Sequence, residues 1–154
     1  ASAVLEILLE KKKTLALAES CTGGLLASAL IDVPGASGAL LESHVTYCNE
    51  AKMRVLGVTK ATLDAQGAVS EACAVEMAEG ARRVSGSDYA LSVTGIAGPE
   101  GGTDDKPVGT VYIGIAGSSG ARAQRFQFLG DRKWIRTLAC VNALNMLRLE
   151  LAKI

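Results

Sequence analysis

Glu19-Ser20-Cys21-Thr22-Gly23-Gly24 is the segment of this chain whose residue types most readily do chemistry. It follows the short apolar run Thr14–Ala18 and precedes Leu25–Ile31, an Ala-rich stretch that reads as helix. The succession is strand, tight polar turn, helix. A serine at such a junction stands at the carboxyl edge of a sheet, and backbone N–H groups point out of the helix start. Two adjacent glycines let a ligand approach that backbone closely. The turn can therefore supply a nucleophile, Ser20, and an oxyanion hole built from Cys21, Thr22 and Gly23. Equally, Ser20 or Thr22 can simply cap the helix.

Three further segments carry candidates. In Thr46-Tyr47-Cys48-Asn49-Glu50-Ala51-Lys52, a helix beginning near Asn49 puts Lys52 one turn in, beside Asn49. Lysines on short helices are usually solvated; a nearby serine without a histidine partner would change that reading. His44, the only histidine, lies three residues before Tyr47 and could serve as a base, but no acid is placed by sequence to orient it. The loop Thr94–Gly102, with Gly95, Gly98, Gly101 and Gly102, admits a phosphate or sugar close to its backbone. It matches neither a P-loop nor a dinucleotide fingerprint, and a mobile loop is the alternative. Arg132 and Arg136 are spaced i, i+4 on one helix face, which suits anion capture or a solvated face.

These residues need elements to position them. Val4, Leu5, Leu8 and Leu9 recur at helical spacing. Leu40–Tyr47 reads as a strand, Asn49–Leu56 as a short helix closed by Gly57, and Thr59 as the start of another turn. Ser70 is an N-cap for a helix running to about Val84. Asp88–Val93 reads as a buried strand. Gly109–Ala116 and Arg122–Leu129 read as two strands joined by the hairpin signal Gly117-Ser118-Ser119-Gly120. Asp131 caps a last helix, with Trp134, Leu138, Val141, Leu144, Asn145 and Leu149 on one side. Helices and strands alternate and a hairpin comes late, so the expectation is a single three-layer α/β domain over residues 1–154 with a mixed sheet.

Composition bounds the rest. With 154 residues, 49 % of them hydrophobic, the chain can bury a real core. Sixteen basic and sixteen acidic residues balance, which argues against a broad nucleic-acid surface but not against one bound phosphate. The four cysteines (Cys21, Cys48, Cys73, Cys140) form no C-x-x-C pair and no metal-like spacing with the histidine. Reduced thiols in or near the core, a cytoplasmic location, and no metal or cofactor are the expectation. No signal peptide is visible, and no apolar run reaches the length of a membrane span.

Together, AESCTGG (18–24), TYCNEAK (46–52), SVTGIAGPEGGTDDKPVGTVYI (92–113) and GDRKWIR (130–136) resemble the CinA carboxy-terminal domain family, in order and over nearly the whole chain. The resemblance implies a three-layer α/β/α sandwich with a mixed, mainly parallel sheet. It implies a metal-free amidohydrolase that converts nicotinamide mononucleotide (NMN) to nicotinate mononucleotide and ammonia. Ser20 matches the family's nucleophile and Lys52 its general base; Tyr47, Thr94 and Arg136 fall on positions that handle substrate. Two alternatives stand beside this: Cys21 as nucleophile with His44 as base, and a non-catalytic nucleotide-binding module of a competence or DNA-damage response. Apolar residues on the last helix, Val141, Leu144 and Leu149, could serve a homo-oligomer or the core.

Overall fold

Large and small side chains alternate along the central strands, and that alternation decides how closely each helical layer approaches the sheet. The computed structural model describes all 154 residues. Strands β1 (Leu15–Glu19), β2 (Leu40–Val45), β3 (Tyr89–Gly95), β4 (Thr110–Gly117) and β5 (Gly120–Gln127) form one sheet in the order β2-β1-β3-β4-β5. β1 runs parallel to both β2 and β3, whereas β3–β4 and β4–β5 are antiparallel. The helices are α1 (Ser2–Glu10), α2 (Leu25–Ile31), α3 (Asn49–Leu56), α4 (Lys60–Gln66), α5 (Glu71–Ser85) and α6 (Arg132–Leu151). The sandwich is thus the α/β/α arrangement expected, with parallel strands at the end of the sheet that matters most.

One face of the sheet presents Leu15, Leu17, Leu91, Val93, Ile113 and Ile115 to α1, α2 and α6, whose Leu5, Leu8, Leu26, Leu30, Ile135 and Leu147 fill the main core. The other face presents Ala16, Ala18 and Ala90 to Leu56, Cys73, Met77 and Ala81. Ser92 on this face donates a hydrogen bond to the Ala74 carbonyl at 2.5 Å. A Cβ at Gly114 would collide with that same carbonyl oxygen. Helix α5 therefore rests almost on the strand backbone, and only small residues beneath it permit this.

Local signals place the helix starts. Thr59, Ser70 and Asp131 each accept a hydrogen bond from the backbone N–H three residues on, the geometry of a side-chain N-cap. Gly117 pairs with Gly120 across the β4–β5 hairpin.

Three expectations need correction. Strand β2 stops at Val45, not Tyr47, because the carbonyls of Thr46 and Tyr47 turn away to a lysine. On α6, of the side named above only Leu144 is buried; Trp134, Val141, Asn145 and Leu149 face solvent. The core face is instead Ile135, Ala139, Ala143, Leu147 and Leu151, whose alanines let the helix come near the sheet. Of the cysteines, Cys21, Cys73 and Cys140 are buried but Cys48 is exposed. No helix is long and apolar enough to cross a membrane.

Candidate active site

The parallel strands β2, β1 and β3 end side by side, and the chain beyond them builds the site. The Ser20 N–H donates to Val93 O, and the Thr46 N–H donates to Glu19 O, both at 2.9 Å. Ser20 is thereby held between the ends of its neighbouring strands, at the carboxyl edge where open α/β sheets bind ligands.

Glu19, the last residue of β1, is fully buried. Its carboxylate accepts the N–H groups of Gly24 and Leu26 at 3.0 Å and of Ala27 at 2.9 Å, with the Ser43 hydroxyl at 3.4 Å. Helix α2 has no side-chain cap of its own, so Glu19 does that work from the strand. Hydrogen bonds to a charged acceptor contribute about 1.5–3 kcal/mol each, and the helix start favours negative charge. The capping role considered for Ser20 and Thr22 is therefore filled by Glu19, which leaves Ser20 for other work.

That capping also decides which N–H groups stay available. Gly23 N–H bonds to Ser20 O at 3.0 Å, which removes it from the expected oxyanion hole. The N–H groups of Cys21 and Thr22 make no hydrogen bond within the chain. Arg136 reaches the opposite side of the Cys21–Thr22 peptide and of the peptide after it: Nε donates to Cys21 O at 2.9 Å and Nη2 to Thr22 O at 2.7 Å. In a trans peptide the C=O and N–H point in opposite directions. A guanidinium holding the Cys21 carbonyl therefore fixes the direction of the Thr22 N–H.

Lys52 enters from α3. It is 1 % exposed, the largest fully buried side chain of the protein. Nζ lies 3.0 Å from Ser20 Oγ, 2.7 Å from Thr46 O and 3.2 Å from Tyr47 O. Burial lowers its pKa from the ordinary lysine value, and the ionisable neighbours that oppose this are the thiols of Cys73, Cys48 and Cys21. Burial pushes Cys73 and Cys21 up to about 11, so both are neutral near pH 7 and offer no counter-charge. A neutral amine has two N–H donors and one lone pair. Of the three oxygens around Nζ, the two carbonyls can only accept, whereas the Ser20 hydroxyl can accept or donate.

The mouth of the site is more open. Tyr47 is 62 % exposed, and Asn49 and Cys48 are exposed at the start of α3. Arg132 ties the mouth together, donating to Gly98 O at 2.8 Å and to the Tyr47 hydroxyl at 3.2 Å. Thr94 is buried and donates its hydroxyl to Ala68 O at 2.8 Å. Gly95 closes β3, and Gly98, Gly101 and Gly102 lie in the loop beyond it. At Gly98, with φ +81°, an added Cβ would come within 2.5 Å of Val108 Cγ1, so close packing of the loop on Val108 already requires a glycine there.

The structure thus brings Ser20, Lys52, Cys21, Thr22, Tyr47, Gly98, Arg132 and Arg136 to one edge. His44 does not join them: its Nε2 lies 2.9 Å from Glu42 Oε2 on β2. Cys21, part of the main core with a raised thiol pKa, lacks the thiolate that a cysteine nucleophile needs. Glu19 and the Thr46 carbonyl are participants that the sequence reading missed. A carboxylate ending an otherwise apolar strand, LALAE, was the available signal for Glu19.

A family model for the CinA C-terminal domain matches residues 1–151. This chain belongs to that family. A CinA-like protein of Geobacter sulfurreducens is 55 % identical over 150 residues, covering 97 % of this chain and 36 % of the relative. A putative competence-damage inducible protein of Clostridium perfringens is 51 % identical over 149 residues, again 97 % of this chain and 36 % of the relative. The chain spans about a third of the length of the curated relatives it matches. Among solved structures, a CinA superfamily protein from Klebsiella pneumoniae superposes with a TM-score of 0.95 at 38 % identity, covering 99 % of this chain and 95 % of that one. The competence/damage inducible protein CihA from Agrobacterium tumefaciens gives 0.90 at 37 % identity, covering 97 % and 96 %.

Proposed function

We propose that this CinA-family domain is a nicotinamide-nucleotide amidase that hydrolyses the carboxamide of NMN with a Ser20–Lys52 dyad. The observation that carries the reading is a buried lysine with no carboxylate partner, 3.0 Å from a serine at a strand–helix turn. Burial favours the neutral amine, the form that can take a proton from a serine hydroxyl.

In the proposed reaction, Lys52 takes the Ser20 proton while Oγ forms a bond to the carboxamide carbon. The carbonyl π electrons move onto oxygen, which the N–H groups of Cys21 and Thr22 stabilise. The C–N bond then breaks, and Lys52 returns its proton to the leaving nitrogen as ammonia departs. Water repeats the relay against the acyl-enzyme: Lys52 removes its proton, and the freed Ser20 Oγ takes that proton back as nicotinate mononucleotide leaves. The carbonyls of Thr46 and Tyr47 hold Nζ in place through both half-reactions. Because Arg132 is exposed at the mouth whereas Arg136 is half-buried behind the turn, the phosphate is assigned to Arg132 and the 95–102 loop, with Tyr47 and Asn49 beside the ribose or ring.

The test is ammonia and nicotinate mononucleotide production from NMN by the purified chain, beside Ser20→Ala and Lys52→Ala. Equimolar products from the parent and neither from the variants support the dyad. A folded parent that releases no ammonia from NMN overturns the assignment and leaves a nucleotide-binding module or another amide as substrate.

A further inference from the structure

Building on the serine–lysine reading above, we infer that Glu19 is a positioning residue for the Ser20 reaction. It takes up the spare N–H groups of the turn and leaves two peptides and one hydroxyl free for substrate. Every N–H from Cys21 to Ala27 must find a partner or wait for one. Gly23 bonds to Ser20 O at 3.0 Å and Leu25 to Thr22 O at 3.1 Å. Gly24, Leu26 and Ala27 all bond to the Glu19 carboxylate. Only Cys21 and Thr22 remain.

The same residue reaches the other member of the dyad. Its backbone carbonyl accepts the Thr46 N–H at 2.9 Å, and Thr46 O in turn accepts from Lys52 Nζ at 2.7 Å. Side chain and backbone of Glu19 thus register the serine turn against the groups that hold the lysine. The turn needs that hold. Gly23 and Gly24 stand at φ +58° and +97°, a conformation with little stiffness of its own. Arg136 grips the carbonyls of Cys21 and Thr22, and Glu19 grips the N–H groups beyond them. Both carboxylate oxygens are in use, Oε1 by Ala27 and Oε2 by Gly24 and Leu26. An amide in place of the carboxylate therefore sets a donor against at least one N–H. α2 has no side-chain cap of its own, so the released N–H groups compete for the hydroxyls of the turn, Ser20 and Thr22.

A second carboxylate shows what capping alone does. Glu76 of α5 accepts the Thr59 N–H at 2.7 Å at the start of α4, together with the hydroxyls of Thr59 and Thr62. It too holds a helix start from another element, but none of the groups it binds lies in the serine turn or bonds to Lys52. Glu19 differs in what its helix start carries.

Glu19→Gln is the test, read on Ser20 itself. Diisopropyl fluorophosphate esterifies activated serines, and loss of the label in Ser20→Ala identifies the position. Glu19→Gln should slow Ser20 labelling and lower kcat for ammonia release, each by about a hundredfold, with KM for NMN within a few-fold. Glu76→Gln should lower the melting temperature and leave labelling and kcat within about twofold of the parent. If Glu19→Gln does not fold, Glu19→Asp decides: it keeps the charge, reaches one methylene less far, and should lose about tenfold in both rates. A folded Glu19→Gln, or in its place Glu19→Asp, that labels and turns over like the parent overturns the inference. Loss of fold in both Glu19 variants overturns it as well, since the carboxylate is then structural. So does an equal loss in Glu76→Gln, which makes the effect one of stability alone, or a parent whose Ser20 takes no label. A parent that labels at Ser20 but releases no ammonia from NMN sinks the assigned substrate, and the labelling rates then decide on Glu19 by themselves.

Discussion

The candidate site has two halves built on different physical terms. The inner half (Glu19, Ser20, Thr22, Lys52) is at most 9 % exposed, and Arg136 clamps it from behind. The outer half (Tyr47, Arg132 and the loop past Gly95) is largely open, its parts tied by bonds from one exposed arginine to Tyr47 and Gly98. The inner half is where a lysine can lose its charge and a peptide can be aimed. The outer half can recognise an anion without desolvating it fully. The difference separates turnover, expected inside, from substrate affinity, expected outside.

Substitutions can break that separation in order of effect. Ser20→Ala and Lys52→Met should each lower kcat for ammonia release by at least about a thousandfold. Lys52→Met should keep or raise the melting temperature, because it removes a buried amine whose charged form burial opposes. A loss of folding in Lys52→Met would show that the lysine is structural.

Arg136→Lys should come next. Lysine offers a point charge in place of a planar fork and cannot hold both carbonyls in the same geometry. A misaimed oxyanion peptide should lower kcat by about a hundredfold, with KM little changed. If KM rises and kcat holds, Arg136 handles substrate directly, and the division between halves fails there. Arg132→Ala should do the reverse, raising KM for NMN about tenfold with kcat within a few-fold. Its effect should shrink for the riboside, which lacks the phosphate.

The pH profile sharpens the same comparison. Burial lowers the Lys52 pKa, so the active neutral amine appears as pH rises through that lowered value. kcat/KM should therefore climb with pH and level off below the ordinary lysine value of about 10.4. A profile still rising through about 10.4 would mean an unperturbed lysine. The smallest effect is expected for Cys21→Ala, within a few-fold of the parent, because Cys21 is assigned its N–H and not its thiol.

Much of this arrangement is legible locally. The strand–turn–helix around Ser20, the Asn49–Leu56 helix carrying Lys52, the caps at Ser70 and Asp131, and the β4–β5 hairpin follow from periodicity and turn chemistry over a few residues. What was not legible depends on distance along the chain. Arg136 meets Cys21 across 115 residues, and no local pattern distinguishes an arginine that grips a carbonyl from one that awaits a phosphate. Gly23 was expected to donate into the hole, but its N–H closes the turn itself. On α6, fit outweighs side-chain bulk: alanines, not Trp134 or Val141, allow the helix to lie near the sheet, and periodicity alone does not separate the two faces.

Single-turnover ammonia release from NMN by the parent and by folded Ser20→Ala, followed at one pH near neutrality, tests the inner half most directly. The expected result is one ammonia per protein from the parent and none from the variant on the same timescale. Undiminished release by Ser20→Ala would contradict the dyad, because Ser20 Oγ is the one hydroxyl hydrogen-bonded to Lys52 Nζ.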